Sequence, residues 1–264
     1  MALSPCGALV RAGDPVRFRH ALFAPPAQRE GLFALYAFNL ELAKIAPMVS
    51  EPMLGEIRLQ WWREAVEAAY DEGAVRAHEV VQPLTAAIRE RALPRELLDR
   101  MIDARAADLD PAFPPDEATL DLYLADTAGA LTRLAALVLA DLDEEGVGVV
   151  TRVGKVIGTA RYLDAAPMMR EHGARWLPTE VPRGASNRDP EFIEAIRARV
   201  TASRAMLREA RAKRRSIPRT AAPALLEARL ADRALRRRVR QPMAAAREPR
   251  LTAAEILRGL TGRW

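Results

Sequence analysis

The sequence predicts an all-α fold, on three observations. Ala and Leu supply most of the apolar residues in a 264-residue chain that is 50% hydrophobic but only 5% aromatic. Those two residue types lose little freedom in a helix, whereas strands favour β-branched and aromatic side chains. Apolar positions recur at steps of three and four: Leu120, Leu124, Ala128, Leu131, Leu134 and Val138 form one series, and Val153, Val156, Ile157, Ala160 and Leu163 another. Helix start signals punctuate the chain, while alternating strand patterns, hairpin dipeptides and internal repeats are lacking.

Taken in order, Pro25-Pro26 opens a helix running to about Ile45. Proline at 47 predicts its end near Ala46, because proline disfavours helical geometry in the residue before it. A following helix carries residues 59–64. Pro114-Pro115-Asp116 precedes the helix containing Tyr123. Gly173 to Arg188 reads as the longest loop, and Asp189-Pro190 as an N-cap with proline at the first helical turn. Thr252 and Glu255 read as a capping box stapled by Leu251 and Ile256. The expectation is a single domain over residues 1–264, with basic, looser helices over about 190–264 and a shared core that includes Tyr36, Leu131 and Val156.

Cys6 is the only cysteine, which excludes an intramolecular disulfide and a thiolate metal cluster and fits a reducing compartment. The longest uninterrupted apolar stretch, Leu134 to Ala140, is far short of the roughly 20 residues that cross a bilayer. No charged-then-apolar leader pattern opens the chain. A cytoplasmic protein is expected.

The net charge of +5 is unevenly placed: Thr201 to Arg250 holds 15 basic and 4 acidic residues, a net of +11 that leaves about −6 elsewhere. Arg204, Arg208, Arg211 and Arg215 stack at helical spacing. Such a segment suits anionic lipid or an acidic protein, or is a solvated face. Nucleic acid is the weakest partner, because the segment has no aromatic residue for base stacking and no reading motif. His20, His78 and His172 are too far apart for metal spacing. There is no phosphate-binding loop, Gly146-Val147-Gly148 lacks the third glycine of a dinucleotide fingerprint, and no local signature joins a catalytic triad.

Four segments in order resemble the squalene/phytoene synthase family of head-to-head prenyltransferases. They are Pro25-Pro26 through Tyr36-Ala37-Phe38, Leu59-Gln60-Trp61-Trp62-Arg63-Glu64, Tyr123 through Ala128-Gly129, and Val153-Gly154 through Trp176-Leu177-Pro178. Together they span roughly residues 14 to 180. The resemblance implies an isoprenoid-synthase-like helical bundle around a central pocket, in which two facing aspartate motifs hold Mg²⁺. The metal clamps a leaving diphosphate and stabilises the charge that develops, and Mg²⁺ demands hard oxygen ligands.

At the positions where the resemblance places those carboxylates, this chain has Ala43 and Pro47 in the first motif and Ala165 and Met169 in the second. A basic residue before the first motif falls on Leu40, and the polar pair before the second on Gly158 and Arg161. None of the four motif side chains can ligate Mg²⁺, so no catalytic or metal residue is expected. Glu41 lies about 160–200° around the helix from the required face and Asp164 roughly 100°, while Lys44, Lys155 and Arg161 add positive charge. The two degenerate helices are expected to face each other across a cavity into which residues 43, 47, 165 and 169 project. Tyr36, Asn39, Leu40, Ala43, Trp62, Gly158, Arg161 and Ala165 are the pocket-lining candidates. Trp61 and Trp62 cannot share one helix face: one is expected in the core and its neighbour in an adjoining groove, with a ligand-stacking role as the alternative. Asn39 reads as a hydrogen-bonding residue of the pocket or of the core, and Arg58 and Arg63 as partners for acids on neighbouring helices, with ligand binding as the alternative.

A narrower resemblance follows from Phe38-Asn39-Leu40-Glu41-Leu42-Ala43, Val49-Ser50-Glu51, Gly55 to Trp62 and Gly154-Lys155-Val156-Ile157-Gly158. These look like the non-catalytic branch of the family, the mitochondrial complex I assembly factors. That implies an assembly or accessory factor for a membrane respiratory complex, or a lipid-binding protein, peripheral on the inner face of the membrane. Its partners would be subunits or assembly intermediates of the complex, an isoprenoid or other lipid, and an anionic membrane surface, with no cofactor. The alternative is a prenyltransferase of isoprenoid biosynthesis with rearranged metal ligands, for which Mg²⁺ would be the cofactor.

Overall fold

In a computed structural model the chain is described over residues 3–71, 74–171, 190–242, 261 and 264, without the side chains of 166–171 and 192. The loop expected at Gly173–Arg188, the segment Trp176-Leu177-Pro178, His172, the Asp189 cap and the Thr252–Glu255 capping box lie outside the described residues, as does the side chain of Met169. The described residues are 81% helical, with no strand among them.

Proline and short polar side chains start the helices. Ser4 caps α1 (Pro5–Gly13) by accepting from Gly7 N–H at 3.0 Å. Asp14 caps α2 (Pro15–Ala21) through Arg17 N–H at 3.0 Å. Next come α3 (Pro26–Met48) and α4 (Pro52–Tyr70), each with proline in the first turn. That position needs no N–H donor and suits the fixed φ of the ring. Then follow α5 (Val81–Arg91), α6 (Arg95–Ala104) with a 3₁₀ turn over Arg105–Leu109, and α7 (Glu117–Leu124), capped by Asp116. A π turn over Ala125–Gly129 leads directly into α8 (Ala130–Leu139), followed by α9 (Glu144–Glu171), α10 (Pro190–Ala212) and α11 (Ala228–Arg240).

α3 runs to Met48 and holds Pro47 in its last turn, where the sequence predicted an end near Ala46. Pro47 forfeits one ladder bond, the one its N–H would have made to the Ala43 carbonyl, but it falls in the last turn, so the helix loses only that bond before Val49 turns extended. Arg215 leaves the arginine stripe: α10 stops at Ala212 and Arg215 lies in a 3₁₀ turn over Arg214–Ser216. The membrane expectation also needs amending. The helical run Glu117–Leu139 is long and apolar enough to cross a bilayer, because a few scattered polar residues do not lower its mean enough to fail. Its most apolar window is 61% buried inside the protein, as the central helix of a bundle must be.

Tyr36, Leu131 and Val156 share one hydrophobic core. α3 is buried along almost its whole middle, from Leu32 to Asn39. Its Leu32, Leu35, Phe38 and Leu42 are closed off from solvent, each contributing about 1.5–3 kcal/mol. α10 and α11 join the same core through Ile196, Val200, Leu207 and Leu235. The tightest packing is between α9 and the π turn. A Cβ on Gly154 would lie 2.7 Å from the Ala128 carbonyl oxygen and 2.7 Å from Gly129 Cα. Only glycine permits that approach.

Candidate functional site

Tyr36, Asn39, Leu40 and Ala43 share one face of α3, and Gly158, Arg161 and Ala165 share one face of α9. These helices are not among the pairs that pack closely; α9 packs on α7, α8, α10 and α11 instead. What joins them is charge. Arg161 reaches from α9 to Asp14 at 2.9 Å and also bonds Glu227. Arg17 of α2 pairs with Asp14 at 3.2 Å and with Glu227 at 3.4 Å, and its guanidinium lies over the Tyr36 ring at 5.6 Å. Two guanidinium groups and two carboxylates thus close into a neutral quartet, with Asp14, Arg17 and Glu227 all buried. Burial pushes the Asp14 carboxyl up, but Arg17 and Arg161 outweigh it and hold its pKa at about 2. Beside the quartet remains a cavity of about 10 Å³ bordered by His20, Tyr36, Leu131 and Thr132, about the room for one water.

A second polar cluster sits further along the same face. Arg105 donates to Asn39 Oδ1 at 3.4 Å, to the Tyr123 hydroxyl at 3.0 Å and to Asp108 at 2.9 Å, and the Tyr123 hydroxyl donates to Asp108 at 2.8 Å. Burial drives the Tyr123 phenol pKa well above its usual range. Tyr162 of α9 stands edge-on to Tyr123, and its own hydroxyl is buried without a hydrogen-bond partner. Asn39 therefore serves as an acceptor that fixes Arg105.

The motif positions hold no metal ligands. Ala43 and Ala165 are half-buried and Pro47 is exposed at the end of α3. The two nearest acids are each taken by a cation: Glu41 by Lys44 at 2.8 Å, and Asp164 by the buried Arg238 at 2.7 Å. Among the described residues no group of three or more His, Cys, Asp or Glu side chains converges on one point. Mg²⁺ needs several free oxygen donors around one centre, and the residues present do not fit it.

The other candidates do different work. Gly158 is buried where a Cβ would come within 2.7 Å of the Ala128 Cβ, so it is a packing contact against the π turn. Leu40 closes over Gly13 of α1. Trp62 is buried edge-to-face with Phe38 at 5.3 Å and with Trp61 at 4.9 Å, while the half-buried Trp61 lies in a groove beneath Arg76 and His78. Arg63 pairs with Asp103 at 2.8 Å, whereas Arg58 is exposed. Sequence reading missed Asp14, Arg17, Glu227, Arg105 and Asp108. The only local signals were Asp14-Pro15, a helix-start dipeptide, and Glu227 as one of only four acids in the basic stretch Thr201–Arg250.

A family model described as squalene/phytoene synthase matches residues 10–255. The chain belongs to that family. Among its relatives, this squalene/phytoene synthase family member is 29% identical over 231 residues to NADH dehydrogenase (ubiquinone) complex I assembly factor 6 of Mus musculus, covering 84% of this chain and 69% of that protein. It is 28% identical over 174 residues to presqualene diphosphate synthase of Rhodopseudomonas palustris, covering 65% and 61%. A squalene synthase from Alicyclobacillus acidocaldarius superposes with a TM-score of 0.79 at 19% identity, over 91% of this chain and 94% of that one. At that identity the likeness establishes the isoprenoid-synthase fold and nothing about chemistry.

Proposed function

We propose that this family member acts without catalysis, as an assembly or accessory factor for a membrane respiratory complex of the NADH:ubiquinone oxidoreductase type. The observation that carries the reading is the state of the two motif faces. Their described positions hold no carboxylate, and the nearest acids, Glu41 and Asp164, are bound to Lys44 and Arg238. The match to the mouse complex I assembly factor supplies the direction. The protein works at the inner, cytoplasmic face of the membrane, held there by its basic helices.

A lipid-binding version of this reading has less support, because the space left beside Tyr36 is about 10 Å³, far below the ≈ 300–1,000 Å³ of ligand pockets. A second reading, a prenyltransferase with rearranged ligands, is favoured by the likeness to presqualene diphosphate synthase. One strain separates the two. A deletion should lower the amount of assembled respiratory complex and leave carotenoid and hopanoid content unchanged; the opposite pattern reverses the order of the readings. Purified protein with Mg²⁺ and farnesyl diphosphate should release no pyrophosphate above a heat-killed control.

A further inference from the structure

Half of the eight large apolar side chains that stand exposed among the described residues lie within ten positions, at the corner between α3 and α4. Met48 is 63% exposed, Met53 71%, Leu54 45% and Ile57 60%. Met53, Ile57 and Trp61 follow one another at four-residue steps along α4 and make a stripe. The stripe runs into a groove of about 260 Å³ floored by Ile45, Met48, Trp61 and Trp62 and edged by Glu41, Lys44, Arg58 and His78. This groove lies on the flank of α3 carrying residues 41, 44, 45 and 48, separate from the face of Tyr36, Asn39 and Ala43.

An apolar surface this concentrated marks a contact site, and methionine is favoured where a surface must adapt to a partner's side chains. The charges around it select the partner. Glu51, Glu56 and Arg58 are exposed and have no ion-pair partner among the described residues, whereas Glu41 and Glu64 are paired with Lys44 and Arg76. The start of α4, beside the stripe, therefore offers two free carboxylates, Glu51 and Glu56, against the one free guanidinium of Arg58 at the groove, in a protein whose net charge is +5. That sign disfavours an anionic bilayer, which attracts basic rims. It favours a basic segment. The groove is smaller than the usual small-molecule pocket but suits one large anchoring side chain.

We infer that the α3–α4 corner is the docking site for an amphipathic helix of a partner protein, with apolar side chains seated on Met48, Met53, Ile57 and Trp61 and flanking Lys or Arg side chains meeting Glu51 and Glu56. Recognition is of the helix-in-groove type, read by anchors at three- and four-residue steps. The inference rests on the accessory-factor reading for the existence of a partner, but its test does not. The full chain is titrated against a fluorescein-labelled Leu/Lys amphipathic helical peptide and its Leu/Glu counterpart, as wild type and as Met53→Glu with Ile57→Glu. Circular dichroism checks the fold of both forms.

Global charge alone would draw the acidic peptide, and the added glutamates would tighten the basic one. The corner instead predicts that wild type binds the Leu/Lys peptide and that the double variant binds it at least tenfold more weakly, with no change toward the Leu/Glu peptide. Equal binding by wild type and variant overturns the proposal. Flotation on phosphatidylglycerol vesicles that is lost in the double variant overturns it in favour of a membrane tip, and a wild-type dimer that the variant dissolves overturns it in favour of a second copy. A lost corner with a positive deletion phenotype leaves the assembly role standing. Complementation of the deletion to full complex levels by the double variant sinks the corner alone.

Discussion

Arg161 on α9 and Asp14 between α1 and α2, 147 residues apart in sequence, meet at 2.9 Å, the carboxylate buried and the guanidinium half-buried. The resemblance places an uncharged polar side chain at position 161. This chain has instead a guanidinium that its own Asp14 and Glu227 neutralise.

Asp14→Asn tests the quartet. Asparagine still caps α2, so the substitution removes the charge and not the helix start. It leaves Arg17 and Arg161 sharing Glu227 alone, and breaking a buried ion pair in this way costs about 3–5 kcal/mol. The urea midpoint should fall accordingly. Adding Arg161→Gln should recover part of the loss, since the two sites are in contact and their effects are not additive.

The same group sets an acid limit. Asp14 has its pKa held at about 2 against an ordinary 3.8, so folding is favoured by its ionised form. Its contribution, about 2 kcal/mol, is full above about pH 5 and is lost as pH falls through 4 toward 2. Stability measured by urea unfolding from pH 7 to pH 3 should decline in wild type, and more shallowly in Asp14→Asn.

Gly154→Ala should destabilise by about 1–3 kcal/mol, because the new methyl would meet the backbone of Ala128 and Gly129 at 2.7 Å. Gly148→Ala, in the same helix, meets nothing nearer than Arg152 Nη1 at 3.4 Å and should stabilise by about 0.4–1 kcal/mol through the unfolded chain. Thermal melts of the pair separate packing from propensity; a neutral Gly154→Ala would mean that α9 does not approach the π turn so closely.

Much of the basic charge is spent on ion pairs within the chain. Arg204, Arg211 and Arg236 converge on Asp232 at 3.1–3.6 Å, Arg238 holds Asp164 at 2.7 Å, and Lys213 meets Glu145 at 3.0 Å. Arg208, Arg214 and Arg215 are exposed and have no ion-pair partner among the described residues. Changing these three to Gln should leave the melting temperature unchanged and weaken binding to phosphatidylglycerol vesicles at low salt. At about 1 kcal/mol per basic residue near such a surface, the loss is about 3 kcal/mol, roughly a hundredfold. Flotation that is indifferent to the substitution assigns these arginines to the solvated face.

What the sequence by itself determined was whatever depends on near neighbours. Helix type follows from the three- and four-residue apolar steps around Leu131 and Val156, and helix starts from Pro26 and Asp116. The lack of ligating side chains at Ala43, Pro47, Ala165 and Met169 is legible from residue identity alone, because no fold gives alanine an oxygen to donate. Tertiary structure alone decided the partners. Asp14, Arg17 and Glu227 are unremarkable surface-type residues in the sequence and Arg161 only a pocket candidate; burial of the first three makes the four a single unit, because a lone charge cannot remain unpaired in a dry interior. Gly158 reads as a pocket position until α9 is seen pressed on Ala128. Met48, Met53 and Ile57 read as ordinary amphipathic helix residues until the fold leaves them uncovered. Spacing along one helix tells which side chains share a face; which face meets protein, and which meets solvent, is set by how distant segments pack.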